Sequence, residues 1–216
     1  NPHRDTKAQS FDIKLQPEGT RGRQLKAFLQ KHNIARSLLQ SDSRGNLFLV
    51  ERREVLILNP AQVLLSASSL GPSKRTFDRT SFACMARTTL SFDVVGLAVE
   101  PRTEKYIAIW GRQECSILIL SETFTISSEV SLKFLRGEPS SSDAYLHVQW
   151  VPGTVAMLAA VTTKCVNVYD LASPTALTPT HSFVMAYDQS STIQNFVLVP
   201  YTASARVSGT NDQRIA

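Results

Sequence analysis

The stretch "LHVQWVPGTVAMLAAVTTKCVNVYDLASPT", Leu146 to Thr175, carries the fold. Trp150 stands two residues before Pro152, and Gly153 follows. Two short apolar runs come next, and the last ends on Tyr169-Asp170-Leu171. Short, often β-branched apolar runs between turn residues predict strands, so the stretch reads strand, tight turn, strand, turn, strand.

This unit recurs. "GLAVEPRTEKYIAIWGRQECSILILS" lies over "HVQWVPGTVAMLAAVTTKCVNVYDLA" with Pro101 on Pro152, a step of 51, and Cys115 on Cys165, a step of 50. Leu120 falls near Leu171, and Pro200 lies a further 48 residues past Pro152. Upstream, "SLLQSDSRGNLFLVERREVLILN" has the same shape, with Val55 about 60 before Cys115. A period of about 50 residues with three or four strands is the spacing of β-propeller blades. The expected fold is therefore mainly β: WD-like β-propeller blades, about three plus a strand, with one or two short helices. A closed ring needs at least about four blades, so the chain is expected to be part of a larger ring.

The chain divides accordingly. Residues 1–20 form a polar lead-in. Residues 21–34 predict an amphipathic helix, with Leu25, Phe28, Leu29 and His32 on one face. Residues 35–58 form a blade, and 59–92 an insertion with a short helix and a polar loop. Asn59 is the helix N-cap and Pro60 its first residue. Blades follow at 93–135 and 146–187, separated by a loop at 136–145. Residues 188–216 begin a further blade. Both ends read as cut, and the chain reads as a segment of a longer one.

Composition narrows the function classes. Hydrophobic residues make up 43% of 216 and charged ones 19%, which suits a globular core. The net charge of +5 is spread over the chain rather than gathered on one face, which disfavours a nucleic-acid role. No apolar run approaches the ~18 residues of a membrane span. Asn1 to Ser10 is polar and charged, unlike a signal peptide. Cys84, Cys115 and Cys165 are widely spaced without a CxxC, so no zinc module is encoded and free thiols are expected. His3, His32, His147 and His181 lie too far apart in sequence for a metal motif, and no nucleophile elbow or paired-carboxylate motif accompanies them. No catalytic, cofactor-binding or metal residue is assigned.

The residues that stand out read as a structural blade signature: Trp150, Pro152, Gly153, Tyr169 and Asp170. Trp150 and Trp110 read as blade-core aromatics rather than ligand contacts. Tyr169-Asp170 stands where a WD-type blade has Trp-Asp, and Asp170 is expected to bond backbone in a turn. The helix at 21–34 reads equally as a cap over the propeller or as a docking element. "EPSSSD" reads as a solvated loop rather than a phosphorylation site.

A family resemblance rests on three stretches. They are "LKAFLQKHNIARSLLQSDSRGNLFLVERREVLIL", "YIAIWGRQECSILIL" and "VQWVPGTVAMLAAVTTKCVNVYDLASPTALTPTHSFVM". In this order they resemble the giant UBR-box ubiquitin ligases, known as BIG in plants and as Pushover or Purity of essence in flies. The resemblance runs from about Leu25 to Pro200 and is densest from Val148 to Phe183. The chain departs from the family pattern at Gly153-Thr154-Val155, at Cys165–Asp170 and at the Gly-free "ERRE" of Glu51–Glu54. The resemblance implies a parent that is an N-recognin and E3 ubiquitin ligase. It implies zinc in the parent's UBR box and ligase module, with calmodulin and a second ubiquitin ligase as partners. It implies a cytoplasmic location, with the nucleus allowed. Neither module is encoded here, so the segment is expected to be a non-catalytic scaffold that contacts other domains of the same chain. The alternatives are a free-standing WD-like adaptor and, less favoured, an enzyme with a site on the propeller face.

Overall fold

The computed structural model describes residues 12–13, 27, 30, 38–68, 76–77, 84–132, 144–172, 177–184, 193, 196 and 198. Of the helix expected at 21–34, only Ala27 and Gln30 are described; both are helical and exposed. The rest of it, His3 and His32, and the "EPSSSD" loop lie outside the described residues.

A short strand, β1 (Asp12–Ile13), opens the chain order. The first sheet contains β2 (Leu39–Ser41), β3 (Leu47–Glu51) and β4 (Glu54–Leu58). Helix α1 (Pro60–Ser68) and β5 (Thr76–Phe77) follow, and β5 pairs in parallel with β1. β6 (Ala86–Thr89) then returns to complete the first sheet beside β4. The stretch read from sequence as an insertion, 59–92, thus also supplies an outer strand. Its "ARTT" run lacks the apolar density that marks a strand by composition. Pairing with "VLI" of β4, rather than its own residues, makes it one.

The second sheet is β7 (Gly96–Val99), β8 (Tyr106–Trp110), β9 (Cys115–Leu120) and β10 (Ile126–Ser131). The third is β11 (Tyr145–Trp150), β12 (Met157–Thr162), β13 (Cys165–Asp170) and β14 (His181–Val184). All three are four-stranded, antiparallel and ordered as in the chain. Their first strands lie side by side, β2 against β7 and β7 against β11. These are propeller blades, stacked face to face around their innermost strands.

Local chemistry explains the elements. Asn59 Oδ1 accepts from the N–H of Ala61 at 2.9 Å and of Gln62 at 3.4 Å, capping α1. The turn 42–46 closes on Asp42, whose Oδ1 accepts from Arg44 N and Asn46 N, with Gly45 at φ 82°. The β3–β4 turn has no glycine, and Arg52 takes φ 55° there. A side chain in that region costs on the order of 1 kcal/mol.

The core repeats with the blades. Where one blade meets the next, the turn between its second and third strands accepts a bond from the lead of the next inner strand. Arg52 O accepts from Val94 N, Arg112 O from Tyr145 N, and Thr163 O from Ile193 N, at 2.8, 2.8 and 3.0 Å. From each of those residues the same positions turn inward. Val94, Leu97 and Val99 pack against the first blade. Tyr145, Val148 and Trp150 pack against the second, and Ile193, Phe196 and Leu198 against the third. In all three cases a proline, Pro101, Pro152 or Pro200, stands seven residues on. The hairpins correct one alignment. Gly111 N bonds Glu114 O in the second blade, and the pairing Val161 with Val166 sets the matching turn of the third. Cys115 therefore corresponds to Val166, not to Cys165. Between the second and third blades the step is 51 throughout the strands, as it is from Pro101 to Pro152.

Candidate functional site

Three of the signature residues, Trp150, Pro152 and Gly153, stand at the seam between the second and third blades. The indole of Trp150 reaches back, and its Nε1–H donates to Ala98 O at 2.9 Å. Its ring lies 6.2 Å from that of Tyr106. Pro152 and Gly153 form the turn after β11, with Gly153 at φ 81°. Arg102 Nη1 donates to Gly153 O at 3.4 Å, a further bond between the two blades. Thr154 Oγ1 donates to Val151 O at 2.8 Å and tightens that turn. Tyr169 is fully buried in the same core as Trp110, Cys115 and Tyr145. Burial pushes both phenols well above their ordinary range. Asp170 Oδ1 accepts from Ala172 N at 3.0 Å, closing the turn after β13. The structure thus brings Trp150, Pro152 and Gly153 together at one seam. Tyr169 lies beneath it, and Asp170 is at the surface.

The groups around this seam are structural in their chemistry. The Cys115 thiol is buried, and desolvation pushes it far above the usual thiol range, so it is a poor nucleophile. Buried Asn167 accepts from Ser182 Oγ at 2.7 Å. His147 meets the edge of Trp110 at 6.0 Å, and partial desolvation against it holds the exposed imidazole below the ordinary value. Among the described residues no three His, Cys, Asp or Glu side chains come together as metal ligands. No helix among them is long and apolar enough to cross a membrane.

Sequence reading missed the matching seam between the first and second blades. Gln40 Oε1 accepts from Val99 N at 2.9 Å, and Glu104 Oε1 accepts from Ser43 N. Arg44 sits 5.0 Å over the ring of Phe124. Beneath them Glu100 is buried at 1% exposure. Its oxygens accept from Arg102 N, Thr103 N, Thr103 Oγ1 and Glu104 N. Burial alone would push that carboxyl up, but these bonds outweigh it and hold it below the usual range. The available signal was a lone acid before a turn, as Asp42 precedes "SRGN" and Glu100 precedes "PRTE".

No family model matches the chain. Among curated proteins it is 30% identical over 183 residues to the auxin transport protein BIG of Oryza sativa subsp. japonica. That match covers 84% of this chain and 4% of BIG. It is 28% identical over 184 residues to a probable E3 ubiquitin-protein ligase of Dictyostelium discoideum, covering 85% of this chain and 3% of that protein. Protein purity of essence of Drosophila pseudoobscura pseudoobscura is 24% identical over 212 residues, or 91% of this chain and 4% of its own length. The chain thus spans only a few per cent of the curated relatives it matches. Among solved structures it resembles a chain of the Chaetomium thermophilum Nup82 NTD-Nup159 TAIL-Nup145N APD complex. The TM-score there is 0.54 at 18% identity, over 88% of this chain and 39% of that one. It is also similar to the Cps50 (Swd1) β-propeller domain of Myceliophteria thermophila, with TM-score 0.49 and 13% identity, over 72% of this chain and 42% of that one. The fold is that of WD40-like β-propellers.

Proposed function

We propose that this chain is a β-propeller scaffold segment of a giant E3 ubiquitin ligase of the N-degron pathway, with no chemistry of its own. The observation that carries this reading is the similarity to BIG and to a probable E3 ligase. It covers 84% and 85% of this chain but only 4% and 3% of those proteins. The seams support it as well, because their polar groups serve neighbouring blades. In this reading the UBR box, which would hold zinc and bind destabilising N-termini, lies elsewhere in the parent chain, as does the ligase module. Calmodulin and a second ubiquitin ligase are partners of that parent, which is cytoplasmic, with the nucleus allowed.

Stacked blades packed like a protein interior form a stiff arc. A stiff arc holds the modules on either side of it at a fixed separation, which raises the effective concentration of bound substrate at a ligase module. The test is the mass of the intact polypeptide in its source cells, read on a denaturing gel with an antibody to this segment. A band of hundreds of kilodaltons is expected. A band near 23.9 kDa would sink the reading and leave a free-standing WD-like adaptor in its place.

A further inference from the structure

Each blade in this arc has a forward face that meets the next blade and a backward face that meets the one before. The hairpin equivalences identify the backward-facing positions. In the second blade they include Leu97, Ile107 and Ile109, and in the third Val148, Leu158 and Ala160. All six are at most 1% exposed, covered by the blade before. In the first blade the same positions are Leu39, Leu47 and Leu49, since Leu39 pairs with Leu49 as Leu97 pairs with Ile109. Leu56 and Leu58 of β4 continue the same face. Its apolar side chains are all leucine, with exposed Ser41 beside Leu47 and exposed Arg87 beside Leu56.

Its cover is incomplete. Leu56 and Leu58 are 3% exposed, Leu47 and Leu49 are half-buried, and Leu39 on the innermost strand is 58% exposed. Exposure thus rises toward the ring axis, where the equivalent residues of the other blades are sealed. A large apolar side chain on an inner strand gains nothing from water and is suited to a partner. The opposite end of the arc differs. The forward face of the third blade, with Ala159, Val161 and Val166, already carries Ile193, Phe196 and Leu198. A second copy of this chain stacked head to tail would have to displace those residues to seat its leucine face there.

We infer that the leucine face of the first blade is a closure seam that takes the forward face of another blade from the same long polypeptide. This rests on the parent-chain reading above, because only a longer chain holds such a blade. The chemistry of the occupant follows from the two seams in view. It is an antiparallel sheet about 10 Å away, facing Leu39 with aliphatic and aromatic side chains. Phe48, Val50, Val55 and Ile57 face Leu97 in this way.

The test uses the full-length parent protein, with a photoreactive leucine analogue at position 39 in one sample and at position 65 in another. Leu65 on α1 is 71% exposed and serves as the open reference. The expected result at 39 is a cross-link within one polypeptide to a peptide outside these 216 residues, and carbene labelling about fivefold or more below that at 65. Labelling at 39 equal to that at 65 would overturn the inference. So would a cross-link to residues 1–37, to a different protein, or between isotopically distinct copies. Those results in a parent of hundreds of kilodaltons leave the scaffold reading standing. A short parent removes the scaffold reading first, and a cross-link between copies then removes this one.

Discussion

A Cβ built on Gly96 would fall on Cζ2 of the Trp110 indole and lie 2.7 Å from Cε2. The glycine is there for close approach: the Trp110 indole occupies the space a side chain at Gly96 would take, and Trp110 is 3% exposed. Gly96→Ala is expected to destabilise the chain by about 1–3 kcal/mol, the usual cost of overpacking a core. Urea denaturation measures it. Because the clash is with one side chain, Trp110→Phe in the same chain should recover part of the loss. The two substitutions together then cost less than their sum. Strict additivity would place the strain elsewhere.

The β7–β8 connection is an element held by one buried carboxylate. Glu100 satisfies the N–H groups of Arg102, Thr103 and Glu104, so the turn depends on its ionised form. Its carboxyl is held below the ordinary value in the folded chain. That stability is fully present above the unfolded carboxyl's range and is lost as pH falls through the lowered folded value. Glu100→Ala is expected to cost about 1–3 kcal/mol at neutral pH, as for unpaired buried groups. Glu100→Gln should flatten the acid limb of stability against pH, followed by circular dichroism from neutral to acid. An unchanged limb would assign the acid sensitivity to other carboxylates. Asp42 performs the matching task one blade earlier, with a shorter side chain and a shorter turn.

At the scale of the whole molecule, stability in stacked repeats comes from each unit plus its interfaces with neighbours. The bond from Trp150 to Ala98 crosses one such interface. Trp150→Phe keeps an aromatic ring but removes the donor to a half-buried carbonyl that stays in the β7–β8 ladder, a loss of about 0.5–1.5 kcal/mol. Because that loss falls on coupling between blades, the urea transition should broaden as well as shift. Trp110 would then be the single remaining tryptophan, and it sits at the same seam as a reporter. A sharp transition merely displaced to lower urea would show that apolar packing alone couples the blades.

Much of this was legible in the chain itself. Alternating apolar runs, turn residues and prolines at steps of 51 and 48 specify strands and their recurrence, because strand and turn propensities are local. Asn59 before Pro60 specified the start of α1 for the same reason. Tertiary structure decided what depends on distant partners. β6 is a strand because β4 lies beside it, and its own residues do not announce it. Cys115 matches Val166 rather than Cys165 because hairpin closure, not residue identity, sets register. Gln40 became a seam residue only when the neighbouring blade supplied its donor, and Glu100 was fixed only when its turn folded back over its carboxylate. Nothing in the sequence sets the leucines of the first blade apart from the other strand leucines. Only the sealed exposures of their equivalents in the next two blades mark them as a face awaiting a neighbour.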